Sequence, residues 1–373
     1  MNDRAKWLCL LLMVLLAGGG IILAGWMIWE RSQKSAGLPL DREQTEELRD
    51  QLDHNLKSIF IFDPQTSYRL KPSFRGLRHD SPTLPHVTNS RGILGDAEVN
   101  PDPSIRKVLF LGDSVAYGEH IPYEKVFISR MEEAAGPSRQ LLNAGCPGWS
   151  THQELEAYRL YLSDLPVDTV AIVFTLNDLL RFEWVWRDES SFQMSAELRG
   201  LGGLAHSRLT ARSLRELRDR FWNDPGLRPL ADLNNTCLNA YLPGRWSRFI
   251  EEIRPAVRKI AGEKRLIVIG SPARPQLEAL DRGADPETVL FPQRRMERFC
   301  AEEGIEFIDL LEVFLPMGKG YDPALFLHDD RGLLHLSQKG HEKVAEYLWP
   351  IILKNHMLNN PPVKIFSEGK ILQ

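Results

Sequence analysis

The chain is poor in cysteine. Four occur in 373 residues (Cys9, Cys146, Cys237 and Cys300), with no Cys-x-x-Cys pair and no metal-ligand spacing. That excludes a dense disulfide framework and a cysteine-built zinc site, although a single Cys237–Cys300 bridge stays conceivable. Positive charge is not in excess either: the formal net charge is -4, so nothing in the electrostatics argues for a nucleic-acid partner. There is no internal repeat and no low-complexity tract, which excludes solenoids and long disordered linkers. What remains is an ordinary globular composition, 43% hydrophobic and 26% charged, with ample material for a core.

One long apolar run is present. Trp7–Trp29 is 23 residues without a charge, and a helix needs about 20 such residues to span a bilayer core. Trp7, Trp26 and Trp29 sit near its ends, as interfacial aromatics do. The run is expected to be a transmembrane anchor with residues 1–6 in the cytoplasm; the competing reading is a cleaved signal peptide. Either one exports the rest of the chain. Residues 30–62 are expected to form a stalk, with Leu48, Leu52 and Leu56 at helical spacing within Leu40–Phe60. Asp63–Asp102, rich in Pro, Gly, Ser and Asn, reads as irregular.

Beyond it, buried-strand patterns at Lys107–Leu111, Gln140–Asn143, Thr169–Phe174, Arg265–Gly270 and Ile305–Ile308 alternate with helical patterns at Tyr123–Ala135, His152–Leu162, Trp246–Ile260, Pro292–Glu303 and Gln338–Leu353. This alternation predicts an α/β fold with a five-stranded parallel sheet covered on both faces, whose ligands sit at the carboxyl ends of the strands. The domain is expected over 63–356, followed by a tail at 357–373. A long, mostly helical insertion at 181–242 interrupts it and reads as a cap. Its Phe182, Trp184, Trp186, Phe221 and Trp222 suit either ring stacking on a ligand or a small core of their own.

Four strand ends carry residues suited to acyl transfer, which needs a nucleophile, a base and donors for an oxyanion. Ser114 follows the first strand in GDSVAYG. By itself a Gly-Asp-Ser turn is more often a helix cap. Gly148, in NAGCPGWST after the second strand, can offer a backbone N–H at close approach, or simply make a turn. Asn177, in TLND after the third, brings a side-chain amide, and Asp178 beside it suits a helix cap. His335, in LLHLSQKGH before the last helix, suits a general base. His341 suits packing, and His341-Glu342 is not a zinc motif because Ala345 replaces the second histidine.

Together these four blocks resemble the SGNH hydrolase superfamily, the GDSL esterases, over roughly Asp63–Pro350. The lead-in SYRLKP (Ser67–Pro72) and VTNSRG (Val87–Gly92) resembles exported bacterial members. The resemblance implies a flavodoxin-like three-layer fold, no cofactor and no metal. It also implies a Ser114–His335 catalytic pair, with an oxyanion hole from the N–H groups of Ser114 and Gly148 and the Asn177 amide. The family usually places an acid three residues before the histidine, where this chain has Gly332. Asp330 is assigned as the catalytic acid, with Asp329, or a bare Ser–His dyad, as alternatives. The expected activity is a periplasmic serine esterase acting on O-acyl esters of cell-surface glycan. The alternatives are a glycan O-acyltransferase, an envelope lipase or thioesterase, and a non-catalytic scaffold of envelope polysaccharide machinery.

Overall fold

The structure is a computed structural model. It describes residues 38–39, 59–78, 80–180, 182–188, 191–196, 204–316, 320–328 and 333–354, those of 38–39, 182–211 and 353–354 by backbone alone. The Trp7–Trp29 run and the 357–373 tail lie outside these residues. Among the described residues no helix is long and apolar enough to cross a membrane.

The chain divides into two compact units, Met1–His54 with Glu183–Ser195, and Asn55–Phe182 with Ala196–Gln373. In the second unit, Arg106–Gly112, Arg139–Asn143, Thr169–Phe174, Arg265–Gly270 and Glu306–Asp309 form one sheet. Every neighbouring pair is parallel, with registers Val108↔Thr169, Phe110↔Asn143, Ile269↔Val173 and Ile267↔Glu306. Numbered one to five along the chain, these strands lie in the order five-four-three-one-two. That is the doubly wound flavodoxin-like order, whose switch point lies between the first and third strands. Val108–Leu111 and Val170–Phe174 are fully buried, as expected of strands packed on both faces.

Helices cover the sheet in two groups. Phe127–Ala135 packs on the second strand and on Gln338–Lys354, while Pro243–Glu263 packs on Thr151–Ala157, on Phe291–Glu303 and on the fourth strand. Trp246, Phe249, Ile253, Val257 and Ile260 recur along Pro243–Glu263 and are all buried. This is the apolar stripe that turns a helix toward a core.

Three expectations are corrected. Residues 63–87 are not irregular, although 88–102 hold only isolated bridges as expected: Phe60–Asp63 pairs antiparallel with Ser67–Leu70, and Arg75–Arg78 with Ser81–Val87. The first turn closes because Asp63 Oδ1 accepts the N–H groups of Gln65 and Thr66 at 3.0 and 2.7 Å, a side-chain mimic of a backbone turn. Phe60 thus begins a strand instead of ending a helix; most of the expected stalk lies outside the described residues. The 181–242 segment opens with two strands, Phe182–Asp188 and Ser191–Ala196, and turns helical at Leu204–Asn223. Phe182, Trp184 and Trp186 alternate with other residues at period two, a strand pattern in β-prone residues. Phe182–Asp188, which belongs to the first unit from Glu183 onward, lies between Ser191–Ala196 and Leu38–Pro39, with Leu38 opposite Trp186. In the second unit Phe221 is buried against Tyr241, with ring centroids 5.4 Å apart, while Trp222 is exposed. Cys237 and Cys300 are buried free thiols, not a bridge.

Candidate active site

The first strand ends at Gly112, where a Cβ would meet that of Ala116 at 2.6 Å. Asp113 then caps the short helix Ser114–Tyr117, its Oδ1 accepting the Val115 N–H at 2.8 Å. Ser114 is the first helical residue, so its backbone N–H is one that a helix leaves without an internal partner. Gly118 ends the helix with φ 76, a left-handed conformation that glycine adopts without strain. The chain reverses there, and Glu119 N–H returns to Ser114 O at 3.0 Å.

From the far end of the chain, His335 arrives on a pinned backbone. Its carbonyl accepts the Leu327 N–H at 3.1 Å, and Phe326 bridges Leu336. His335 Nε2 lies 2.8 Å from Ser114 Oγ across 221 residues of sequence. A hydroxyl at this distance from an imidazole nitrogen can lose its proton to the ring as it attacks. Asp329 and Asp330 lie outside the described residues, so the expected acid has no described position. His341 stays out of the chemistry: it is buried and stacked on Phe127, with centroids 5.9 Å apart. Burial, with the charge of His335 next, pushes it down to about 3, so it stays neutral.

Asn177 follows the third strand, on the far side of the switch point. Its Nδ2 donates to Asp113 Oδ2 at 2.9 Å, and its Oδ1 lies 2.6 Å from the Thr175 hydroxyl. One amide hydrogen is thus held by the residue preceding the nucleophile. Asp178 is a cap, its Oδ2 accepting the Thr175 N–H at 2.8 Å. Gly148 has φ 75 within the loop after the second strand. That loop is tied to the first strand by Cys146 N–H to Gly112 O at 3.0 Å. Tyr68, fully buried, clamps it from the amino-terminal hairpin: its hydroxyl donates to Pro147 O at 2.8 Å, and its carbonyl accepts the Trp149 indole N–H at 2.9 Å.

Sequence reasoning missed three contributors. Asp113 is the hub that joins Ser114's helix to Asn177. Burial raises its pKa, opposed first by the bond from Asn177, then by those from Val115 and Thr175 with the charge of His335. Tyr68 was visible only as part of the SYRLKP lead-in. Glu119 places Oε2 3.0 Å from His335 Nε2, the same nitrogen that meets Ser114. The only signal for it was a titratable residue just past the Gly118 turn. A separate cavity of about 620 Å³ between Leu217, Phe221, Tyr241 and Phe291 shares no residue with this site.

Residues 110–343 match the GDSL-like lipase/acylhydrolase family. No curated protein matches the chain. Solved structures similar to it include a carbohydrate acetylesterase family member from Sinorhizobium meliloti, 14% identical over 68% of this chain and 100% of that one, with a TM-score of 0.39. A member of the lipolytic G-D-S-L family from Veillonella parvula is 13% identical over 67% of this chain and 98% of its own, with a TM-score of 0.38. An acetyl xylan esterase is 16% identical over 66% of this chain and 100% of its own, with a TM-score of 0.39. With Ser114 and Asn177 at the ends of neighbouring strands, and His335 delivered to the serine, the chain belongs to the GDSL-like lipase/acylhydrolase family and is an ester hydrolase.

Proposed function

We propose that this chain is a membrane-anchored, extracytoplasmic serine esterase that removes O-acyl groups, acetyl above all, from cell-surface carbohydrate. The observation that carries the reading is the 2.8 Å contact between Ser114 Oγ and His335 Nε2. Ser114 attacks the ester carbonyl as His335 takes its proton. The carbonyl oxygen becomes an oxyanion held by the backbone N–H groups of Ser114 and Gly148 and by the Asn177 amide. The intermediate collapses as His335 returns the proton to the leaving sugar oxygen. Water, deprotonated by the same imidazole, then releases the acid and regenerates the serine. Asp330, five residues before the histidine in sequence, is assigned to orient the ring. Export rests on the apolar Trp7–Trp29 run, and the small acyl group and the glycan rest on the family's exported members.

The test pairs labelling with turnover. A fluorescent phosphonate should label the wild-type chain and not Ser114→Ala. Turnover of p-nitrophenyl acetate should fall by about 10³-fold or more in that variant, since removing a triad nucleophile leaves only residual catalysis. Acetylated oligosaccharide should be deacetylated in the absence of any acceptor. Release of p-nitrophenol only when an acceptor sugar is present, with the acetyl group recovered on that sugar, would favour the acyltransferase. A folded protein that neither labels nor turns over ester would favour the scaffold. A preference rising with acyl length, by about 0.8 kcal/mol per buried methylene, would point to a lipase or thioesterase.

A further inference from the structure

Past the Gly118 turn, Glu119 and His120 come back toward His335. One ligand atom from each of Glu119, His120 and His335 lies within 4.8 Å of the others. We propose that these three residues form a transition-metal site, of the kind that binds zinc, whose occupation switches the esterase off. The switch rests on the esterase reading above; the site itself does not.

The donor set points to the metal. Two imidazoles and one carboxylate suit zinc and its first-row neighbours, whereas calcium and magnesium prefer oxygen donors throughout. Tetrahedral zinc with bonds of about 2.0–2.2 Å holds its ligands roughly 3.3–3.6 Å apart. Glu119 Oε2 and His335 Nε2 are already 3.0 Å apart. His120 closes the remaining gap by side-chain rotation, which its partial exposure allows: the side chains of His120, His335 and Glu119 are 20%, 19% and 14% exposed.

A second observation comes from the surroundings of His120. A metal-bound imidazole normally turns its other nitrogen to a carboxylate. His120 Nδ1 lies 3.5 Å from Asp80 Oδ2. Asp80 is in turn held by Arg78 at 3.0 Å, and Arg78 is fixed by the carbonyls of Gly118 and Ile121 at 2.8 and 2.9 Å. His120 also adopts φ 64, uncommon for a residue with a side chain, so the turn that presents it is held by these neighbours.

The consequence follows from one lone pair. His335 Nε2 either accepts the Ser114 proton or binds a metal. With a metal bound, the serine keeps its proton and the attack does not begin. No bond is made or broken beyond this exchange, so removing the metal restores the base.

The full chain, stripped of metal with a chelator, is titrated with zinc chloride while p-nitrophenyl acetate turnover is followed. Zinc should inhibit at micromolar concentrations, chelator should restore the rate, and magnesium or calcium should do nothing. His120→Asn keeps a residue that tolerates the left-handed backbone and removes the imidazole. It should retain basal turnover and need about tenfold more zinc, or beyond, for the same inhibition. Equal sensitivity in wild type and His120→Asn, or no inhibition of the wild type, would overturn the proposal. Calorimetry on Ser114→Ala separates this failure from failure of the esterase reading. One equivalent of zinc bound there, and weakened by adding His120→Asn, keeps the site whatever the turnover assay finds. No binding there removes the site even in an active esterase.

Discussion

Asp113, Asp178 and Glu154 are buried close enough behind Ser114 to feel one another's charge, whereas Glu119 stands partly exposed in front of it, against the His335 ring. The same functional group behaves differently on the two sides. In the buried set, desolvation favours the neutral acid, and what distinguishes the members is the donors each has recruited. Asp113 receives bonds from Val115, Asn177 and Thr175. Asp178 receives bonds from Thr175 and Thr151. Glu154 has no hydrogen-bond partner on either oxygen among the described residues, so nothing opposes the burial that raises its pKa. In front, Glu119 has a ring nitrogen within reach and acts by charge. Carboxylates behind the nucleophile therefore build the scaffold for its neighbours, and the one in front addresses the reacting nitrogen itself.

The comparison breaks hardest at Asn177, which the buried scaffold holds and to which the proposed mechanism gives the oxyanion. Asn177→Ala should lower kcat by about 10²–10³-fold, corresponding to roughly 2.7–4 kcal/mol of lost oxyanion stabilisation, with a smaller change in thermal midpoint. Steady-state kinetics on p-nitrophenyl acetate check this. A folded variant losing less than threefold would mean that the amide only tethers Asp113. Asp113→Ala comes next. It takes the acceptor from two buried donors, the Val115 N–H and the Asn177 amide, while the Thr175 hydroxyl keeps Asn177 Oδ1 at 2.6 Å, and leaving buried donors unpaired costs about 1–3 kcal/mol each before relaxation. Urea unfolding should show a loss of roughly 3 kcal/mol on that basis, and kcat should fall with it because Asn177 is no longer held. Unchanged stability would show that water takes over the role of Asp113.

The sheet was legible because its strands are continuous apolar runs. Thr169–Phe174 and Arg265–Gly270 were delimited to the residue, and the other three to within one position at each end. Ser114 and His335 were legible because strand ends and helix starts are places where side chains emerge toward a ligand. The hairpins of residues 60–87 were not. Prolines and glycines masked short strands, and pairing between them depends on side-chain turns such as that of Asp63, which composition does not reveal. Nor was Glu119. Its place beside His335 depends on the left-handed turn at Gly118 and on the arrival of a segment more than two hundred residues away. Asp113 was read as part of a turn, and that reading holds locally. Its bond to Asn177 spans 64 residues and could come only from the third strand lying beside the first.

The smallest effect tests the buried side alone. Burial raises the pKa of Glu154 well above the ordinary carboxylate range, and the charges of Asp178 and Asp113 add to this. In the unfolded chain the same group releases its proton near pH 4.3. Above that pH the native state carries a proton that the unfolded state has lost, so this group's contribution to stability is complete in acid and falls as pH rises toward the folded value. Gln at this position keeps the shape and has no proton to lose. Glu154→Gln should therefore match the wild type near pH 4 and exceed it at pH 8, by a few degrees in thermal midpoint, given about 2–4 °C per kcal/mol for chains of a few hundred residues. Differential scanning calorimetry at the two pH values reads the gap directly. A gap of the same size at both would show that Glu154 is ionised in the folded protein. The carboxylates behind Ser114 would then be a charged group like Glu119, and the contrast between the two sides of the serine would disappear.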